Sequence, residues 1–412
     1  MTKQQLLALG PALTSFLHTF LFCCGYTQTF GHFSTYVRGL LSNLPRKSVE
    51  PIALAAGTAV RTLQLFLTRH TWSFQSVRAG LQAHVVTTLA GTEADDLGTV
   101  GIIDETGTPK KGDKTPGVQR QWCGRLGKVD NCVVTVHLGV ARGSYKTLID
   151  FDLFLPQDWS ANRRRCRAAG IPDEVRYRPK GMIALEQLDR AKKQGVVLDW
   201  LTFDEEYGKS PGFIAGLNQR ELRFVGEVPR TLSCLVVNRQ GQRPGECVSS
   251  RSAEEVVRNT TAFREQDWQV VRLARQSLAD QVWRVKAARV WLHAEAGWST
   301  RTYWLIWVSN DETGEEKFFL SNASADTPLL TLVRVAFRRW NVEHTFRVSK
   351  TELGFGHFEG RNYTALMRHL SLCHLALTFV AEQTEQLREK KSGGDTGTSV
   401  PCPESAMQQL AV

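Results

Sequence analysis

Apolar residues recur at intervals of three and four from residue 13 to residue 90, as in Val77, Leu81 and Val85. This spacing puts them on one face of an α-helix, so the pattern predicts a helical N-terminal domain over residues 1–95. The polar run 92–99 ends the pattern, and the chain beyond it changes to short stretches rich in β-branched residues. A change of period of this kind predicts a domain boundary.

Extended and helical patterns alternate between residues 96 and 230. Three β-rich runs separated by glycine-containing turns come first and predict a strand meander, at 100–104, 132–138 and 147–155. Helix, strand, helix and strand patterns then follow at 184–194, 196–204, 213–218 and 223–228. This rhythm is typical of an α/β core in which helices flank a sheet.

The alternation stops between residues 231 and 326, where runs of strand composition predict a mostly β insertion. A long helical pattern then covers 328–353 and stops at Gly354, and a second helical pattern follows. We therefore expect residues 327–390 to complete the α/β core. The tail 391–412 is rich in Gly, Ser, Thr and Pro, a composition that predicts disorder.

The composition is that of a globular protein, because 42% of the 412 residues are apolar and 22% are charged. Disorder over most of the chain is therefore excluded. The 51 Lys and Arg exceed the 41 Asp and Glu and give a formal net charge of +10. This charge favours polyanionic partners such as nucleic acid without demanding them.

The nine cysteines are odd in number and include no C-x-x-C pair. Neither a disulfide framework nor a zinc knuckle fits them, so we expect a reducing cytoplasm in which most cysteines are core residues. Leu6–Cys24 is the only stretch that resembles a membrane span, yet it contains Pro11 and His18. It predicts a buried helix rather than a span or a secretory signal.

Two aspartates directly follow apolar runs that predict buried strands. Asp104 follows the run 100–103, and Asp204 follows the run 200–203. The carboxyl ends of strands are where α/β sheets commonly place their sites. If the two strands are neighbours, the carboxylates can meet and hold a hard cation such as Mg²⁺. Taken singly, each aspartate is explained equally well as a turn or helix-cap residue.

A third carboxylate, Glu343, lies in the long helical pattern between two cations, Arg339 and Lys350. At about 100° per residue, the three side chains fall within roughly 40° of one another on a helix. One helix face would then present a carboxylate between two cations. A solvated stripe of ion pairs explains that arrangement equally well on these grounds alone.

Three blocks of the chain together resemble the DDE transposases of bacterial insertion sequences. They are I-I-D-E-T at 102–106, T-F-D-E-E-Y-G at 202–208 and R-W-N-V-E-H-T-F-R-V-S-K-T-E-L-G at 339–354. The third block resembles the Y-(2)-R-(3)-E-(6)-K signature of that family at Arg339, Glu343 and Lys350, whereas Ala336 occupies the tyrosine position. The resemblance extends over roughly residues 10–385 and includes R-Q-W-C-G-R-L-G-K-V-D-N-C from Arg120 onward.

The resemblance implies a fold and a site. The fold is an RNase H-like mixed sheet flanked by helices, with an N-terminal helical DNA-binding domain and a mostly β insertion before the helix of the catalytic Glu. Asp104, Asp204 and Glu343 would be catalytic and would bind two Mg²⁺ ions, replaceable by Mn²⁺, with Asp104 as the bridging ligand. Arg339 and Lys350 would contact the DNA phosphates.

The resemblance also implies an activity and partners. A bacterial, cytoplasmic transposase would bind the terminal inverted repeats of its insertion sequence as a homodimer, cut there, and join the 3′-OH ends to target DNA; no membrane is involved. Two alternatives stay open: a metal-dependent nuclease of the same core that cuts without joining, and a catalytically inactive DNA-binding derivative. An assay for joined products separates the first two, and the presence of all three acidic residues argues against the last.

Other features carry weaker hypotheses. Lys110-Lys111 and Arg163-Arg164-Arg165 are basic runs that could contact the DNA backbone or could be solvated loops. His344 lies about 100° around the helix from Glu343, which favours a supporting or packing role. The insertion contains a tryptophan cluster for which core packing is favoured over base stacking: Trp291, Trp298, Trp304 and Trp307.

Overall fold

The computed structural model describes residues 3–273 and 281–392, and it consists of two compact units. The larger unit contains the described residues up to Glu93, Asp104–Val197 and the described residues from Asn341 onward, and the smaller unit contains Ala94–Ile103 and Leu198–Trp340. All but the first two residues of the tail 391–412, for which disorder is expected, lie outside the described residues.

Helices form the N-terminal part of the larger unit, as the spacing of apolar residues predicts: α1 Lys3–His18, α2 Thr27–Leu41, α3 Val49–Ala55, α4 Val60–Thr68 and α5 Phe74–Gly91. Their apolar stripes face inward, and Phe33, Tyr36 and Phe66 are at most 1% exposed. Burial of each such ring contributes roughly 1.5–3 kcal/mol to folding. Ser73 caps α5, because its hydroxyl accepts a hydrogen bond from the Ser76 N–H.

Strands and helices then alternate: β1 Thr99–Pro109, β2 Gln119–Cys123, β3 Lys128–Arg142, β4 Tyr145–Leu153, α6 Gln157–Ala161, α7 Arg163–Ala168 and α8 Lys180–Lys193. β3 and β4 form an antiparallel hairpin. Its turn contains Gly143, whose φ of +53° only glycine adopts readily. β1 is divided between the two units, because Thr99–Ile103 belongs to the smaller unit and Asp104–Pro109 to the larger.

The smaller unit continues with β5 Trp200–Phe203, α9 Glu205–Gly208, α10 Pro211–Gln219, β6 Val225–Val228, β7 Ser233–Val236, β8 Arg251–Ser252, α11 Ala253–Asn259, α12 Thr261–Arg264, β9 Gln269–Leu273, β10 Gln281–Ala294, β11 Gly297–Ser309, β12 Glu316–Ser321 and α13 Leu329–Phe337. The last described helices are α14 Trp340–Thr351 and α15 Tyr363–Ser392.

A five-stranded mixed sheet forms the core, in the order β2-β3-β1-β5 with β4 paired to β3. β1 and β5 are parallel, with Val100 opposite Trp200 and Ile103 opposite Phe203. A parallel bridge between Leu201 and Phe224 continues the order beyond β5. The predicted fold class, an α/β protein with a mixed sheet flanked by helices, is confirmed.

The β-rich part of the smaller unit is a seven-stranded sheet in the order β6-β12-β11-β10-β7-β8, with β9 paired to β10. One face packs on α13, where the fully buried Trp283 ring lies 5.0 Å from the ring of Phe337. Within the predicted tryptophan cluster, Trp291 and Trp298 are buried, whereas Trp304 and Trp307 are half-buried. The expected strands are therefore present, together with two short helices, α11 and α12, that the pattern did not predict.

The long helical pattern 328–353 corresponds to two helices rather than one, because a turn at Arg338 and Arg339 separates α13 from α14. The predicted placement of Arg339 on one helix with Glu343 and Lys350 is therefore wrong. The predicted stop is correct, since Gly354 follows α14 with a φ of +66°.

Helix α15 lies at the centre of the larger unit, against β4 and against α2, α4 and α5. Among the described residues, it is the one helix long and apolar enough to cross a membrane, but 89% of its apolar window is buried inside the protein. The stretch singled out from the sequence, Leu6–Cys24, contains only a shorter apolar helix, Leu7–His18. Burial identifies α15 as a core helix, so its apolarity reflects packing.

The eight described cysteines have free thiols, and seven of them are buried. The expectation that most cysteines are small core residues is therefore confirmed for the described part of the chain. The exception is Cys247, which is exposed on the loop between β7 and β8. Cys402 lies outside the described residues.

Candidate active site

Asp104 is the sixth residue of β1, which continues to Pro109. The prediction that it sits at the tip of its strand is therefore wrong, although it is the first residue after the part of β1 that pairs with β5. Its side chain is buried, at 8% exposed, and its Oδ1 accepts a hydrogen bond from the Glu105 N–H at 2.7 Å. The apolar run before Asp104 forms the buried part of the strand, and the strand in turn sets the position of the carboxylate.

Asp204 directly follows β5 and caps helix α9. Its Oδ1 accepts a hydrogen bond from the Tyr207 N–H at 3.4 Å. Burial raises the pKa of this carboxyl, while the Arg339 guanidinium and the Tyr207 N–H act in the opposite direction. Asp204 is thus both a strand-end residue and a helix cap, so the two interpretations of the sequence hold together.

The register of the parallel strands links the two aspartates along the chain. Ile103 of β1 pairs with Phe203 of β5, and this is the last pair of the ladder. Asp104 and Asp204 are the next residues of the two strands. Two acidic residues therefore follow one register pair of a parallel ladder, a position typical of functional carboxylates in α/β sheets.

Close packing in the smaller unit explains why the last residue of the T-F-D-E-E-Y-G block, Gly208, is a glycine. A Cβ on Gly208 would lie 1.9 Å from the Glu227 carbonyl oxygen of β6. A Cβ on Gly226 would likewise lie 1.9 Å from the ring of Phe203. Only glycine permits these close approaches, which bring α9 and the residue before Asp204 against β6.

A further carboxylate near Asp204, Glu227, was missed by sequence reasoning. It lies on β6, and its negative charge raises the pKa of Asp204. Its Oε1 accepts from the Lys317 ammonium at 2.9 Å, and its Oε2 lies 3.9 Å from the Arg339 guanidinium. A charged residue inside the otherwise apolar run Phe224–Val228 was the available signal.

Each aspartate has its own cation within its own unit. In the smaller unit, burial raises the pKa of Asp204, and the charge of Arg339, at the turn before α14, opposes this rise. In the larger unit, burial and the Arg125 charge lower the pKa of the Lys350 ammonium, and the Asp104 charge opposes them. The Lys350 ammonium also lies 5.5 Å from the Phe346 ring centroid. Arg339 and Lys350 are therefore close enough to the two carboxylates to influence ionisation.

Glu343 belongs to α14, but its side chain and that of His344 lie outside the described residues. Among described side chains there is no group of three or more His, Cys, Asp or Glu residues that could hold a metal ion. The predicted three-carboxylate site therefore remains a prediction. The two aspartates are its described members.

The basic runs make contacts inside the larger unit. The Lys110 ammonium donates to the carbonyls of Gly356, at 3.1 Å, and Phe358, at 2.5 Å. Burial lowers its pKa to about 8. Arg163 donates to the Pro172 and Val175 carbonyls, at 3.0 and 3.1 Å. These two cations support loops of the protein itself.

Comparisons with known proteins point in one direction. A family model described as "DDE superfamily endonuclease" matches residues 20–294. The chain is also 31% identical over 201 residues to a probable transposase for insertion sequence element IS701 from Microchaete diplosiphon, a match that covers 48% of each chain. The chain thus spans about half the length of that relative.

One solved structure is similar over 92% of this chain and 69% of its own, with a TM-score of 0.45 and 12% identity. It is the cryo-EM structure of a piggyBac transposase synaptic complex with hairpin DNA. The family match covers more than half of the chain and contains both aspartates, and it ends before α14. From its sequence, this chain belongs to the DDE superfamily endonuclease family.

Proposed function

We propose that this protein is a transposase that binds the inverted repeats at the ends of an insertion sequence, cleaves DNA there, and transfers the 3′-OH ends to target DNA. The observation that carries the proposal is the parallel pairing of Ile103 with Phe203, after which Asp104 and Asp204 follow directly. Membership of the DDE superfamily endonuclease family and the identity to the IS701 transposase support it.

The proposed site consists of Asp104, Asp204 and Glu343. The described residues fit a divalent cation, because the carboxylate oxygens of Asp104 and Asp204 are ligands that Mg²⁺ prefers and burial of an uncompensated carboxylate is costly. Two bound ions would activate the attacking hydroxyl group and stabilise the leaving 3′-oxygen. Asp104, Asp204 and Glu343 would hold these ions, with Asp104 as the shared ligand.

Arg339 and Lys350 are assigned to the DNA phosphates beside the cleaved bond. Each carries a positive charge beside one aspartate, so each would also limit repulsion between the carboxylates and the phosphate. Asp204 is oriented by the Tyr207 N–H, which fixes the carboxylate before substrate arrives. The chain's own groups therefore bind and orient the strand.

The remaining segments receive roles in the same proposal. The helical region 1–95 would bind the element ends, 96–230 and 327–390 would form the catalytic core, and 231–326 would be the insertion. Because two ends must be held together for joining, the DNA complex would be a homodimer. The net charge of +10 supports binding to DNA.

The test uses the full chain with duplexes copied from the DNA that flanks its gene, in Mg²⁺. Asp104→Asn, Asp204→Asn and Glu343→Gln keep side-chain volume but remove a ligand charge, so cleavage should fall below detection while DNA binding is retained. Glu205→Gln is the matched control, since Glu205 is an exposed neighbour of Asp204. Ca²⁺ should support binding with little cleavage.

Retained cleavage in any one of the acid variants would remove that residue from the site. Cleavage without joined products in the wild type would identify a nuclease instead of a transposase. In the same assay, Arg339→Ala and Lys350→Ala should each weaken binding and reduce its salt dependence by about one counterion. Unchanged binding and cleavage in both would remove the phosphate assignment.

A further inference from the structure

The β2–β3 hairpin of the larger unit has one open face. β2 and β3 pair with Trp122 opposite Val129 and Arg120 opposite Asn131, so these residues share a face. Trp122 is 59% exposed and Val129 is 52% exposed, and Leu126 in the connecting turn is 41% exposed. A tryptophan, a leucine and a valine in solvent on one hairpin are unusual, because large apolar side chains are ordinarily buried.

The opposite face of the hairpin is anchored in the core. Cys123 and Cys132 are fully buried there, with Val134 and Phe154 packed against them. On the open face itself, the Asn131 side chain donates to the carbonyls of Lys110 and Gly112, each at 2.7 Å, and ties the hairpin to the preceding loop. The open face is therefore held on a fixed support.

The hairpin and the adjoining loop are strongly basic. From Lys110 to Asn131 the sequence contains six Lys or Arg and two Asp. Arg120, Arg125 and Lys128 are exposed on the hairpin itself. A second copy of the same surface would meet this positive charge with an equal positive charge, whereas a polyanion would be attracted.

The hairpin turn lies near the proposed site. The Arg125 guanidinium lies 3.7 Å from the position that a Cβ on Gly356 would occupy, and the Lys110 ammonium donates to the carbonyl of the same glycine. A Cβ on Gly107, three residues after Asp104 on β1, would lie 3.1 Å from the Sγ of Cys123 in the hairpin. A strand bound on the hairpin would therefore reach Asp104 over a short distance.

We propose that the open face of the β2–β3 hairpin binds DNA next to the cleavage point, with Trp122 stacked on an unpaired base and Arg120 and Arg125 on the flanking phosphates. This inference rests on the proposed function. An exposed indole beside cations is the arrangement that binds single-stranded nucleic acid, because every base offers a face for stacking. Val129 and Leu126 would cover the edges of the stacked base.

The experiment measures DNA affinity by fluorescence anisotropy in Ca²⁺, with labelled duplexes copied from the DNA flanking the gene, either blunt or with unpaired bases at one end. Trp122→Ala should weaken binding to the unpaired end about tenfold or more, and less to the blunt duplex. Trp122→Phe should retain most of the affinity. Arg120→Ala and Arg125→Ala should each lower the salt slope by about one.

Val129→Ala and Val270→Ala form the matched control pair. Both valines are exposed on strands, at 52% and 62%, but Val270 lies on β9 of the smaller unit. Val270→Ala should therefore leave the DNA affinity unchanged. Leu126→Ser, in the turn, provides a second hairpin variant, and equal melting temperatures show that the variants fold. If Trp122→Ala and Leu126→Ser bind DNA like Val270→Ala, the inference is overturned.

Sedimentation of the DNA-free protein tests whether a second copy of the chain, rather than DNA, binds the open face. If Trp122→Ala changes the oligomeric state and leaves DNA affinity unchanged, the face binds a second copy and the inference is overturned. Failure of the proposed function is a different result, since the wild type would then not cut any flanking duplex in Mg²⁺. Cutting by the wild type together with normal DNA binding by Trp122→Ala would overturn the hairpin inference alone.

Discussion

At the scale of single residues, Asp204, a member of the proposed site, is held in the folded protein at a cost in stability. Its carboxylate caps α9 and is half-buried beside Glu227, so burial and a like charge both raise its pKa. Arg339 opposes this rise only in part. The ionised carboxylate is therefore less stable in the folded protein than in water, which is the expected condition of a group that a cation or substrate completes.

We expect Asp204→Asn to stabilise the protein at pH 7. Asn removes the buried charge, caps helices as well as Asp does, and still accepts from the Tyr207 N–H. Because burial raises the folded-state pKa, the stability of the wild type falls as pH rises through the window above the ordinary carboxyl value. Thermal unfolding should show a higher Tm for the variant, at about 1 °C per kcal/mol gained, because the entropy of unfolding grows with chain length.

The same measurement has two internal controls. The Tm difference should disappear near pH 3, where both side chains are neutral. Mg²⁺ should raise the Tm of the wild type more than that of Asp204→Asn, because only the wild type keeps this ligand. A lower Tm for the variant at pH 7 would show that the interaction with Arg339 outweighs the cost of burial.

At the scale of elements, the position of α9 depends on the absence of a side chain. The Cβ of an alanine at position 208 would overlap the Glu227 carbonyl oxygen, and a backbone atom cannot rotate away as a side chain can. Gly212, in the next helix, has nothing within 4 Å of the corresponding position. The two glycines form a natural comparison.

Gly208→Ala should destabilise the protein by about 1–3 kcal/mol, because α9 must separate from β6. Gly212→Ala should be neutral or stabilising by up to about 1 kcal/mol, because alanine favours the helix. Denaturant midpoints measure both changes. Equal midpoints for the two variants would mean that α9 moves without resistance, and the steric account of Gly208 would fail.

Sequence patterns predicted elements whose signals are local. The apolar run 200–203 indicated a strand, and Gly354 indicated a helix end, and both are present. The break between α13 and α14 carries no Gly or Pro, so the helical period passes through it unmarked. In the structure Arg334 and Arg338 pair with Asp96 and Asp95, residues distant in the chain. A break that accompanies long-range ion pairs cannot be identified from neighbouring residues.

The sequence likewise predicted some parts of the candidate site and not others. Asp104 and Asp204 were identified because each follows an apolar strand. The extension of β1 beyond Asp104 was not predicted, because it depends on which strands lie alongside. Glu227 was missed because its proximity to Asp204 results from the close approach of α9 to β6. Proximity between segments is a property of packing and has no local signature.

At the scale of the whole molecule, fully buried histidines couple stability to pH. His137, His369 and His374 are each 0% exposed. The Nε2 of His369 donates to the Gly354 carbonyl at 3.2 Å, and its Nδ1 lies 3.0 Å from the Tyr36 hydroxyl. Burial lowers the pKa of His369 and of His374 to about 3 and that of His137 well below its ordinary value.

We expect stability to fall as pH decreases below about 6.5, the ordinary histidine value. In that window the unfolded chain binds protons that the folded protein cannot. Each buried histidine therefore lowers the free energy of unfolding by about 1.4 kcal/mol for each unit by which the pH falls. Urea midpoints at pH 7 and pH 5.5 measure the change. His374→Gln should reduce the pH dependence of stability by the contribution of one histidine. Equal midpoints at the two pH values would contradict the assignment of neutral buried rings.

The distribution of the thiols makes the protein convenient for site-specific labelling. Burial raises the pKa of Cys24 to about 11 and of Cys23, Cys132 and Cys234 to about 12, so at neutral pH these groups lack the thiolate that reacts with maleimides. Cys247 is the exposed thiol of the described residues. With Cys402 replaced by serine, a single fluorophore on Cys247 would mark the loop between β7 and β8 without altering any core cysteine, and its emission would follow that loop during assembly on DNA.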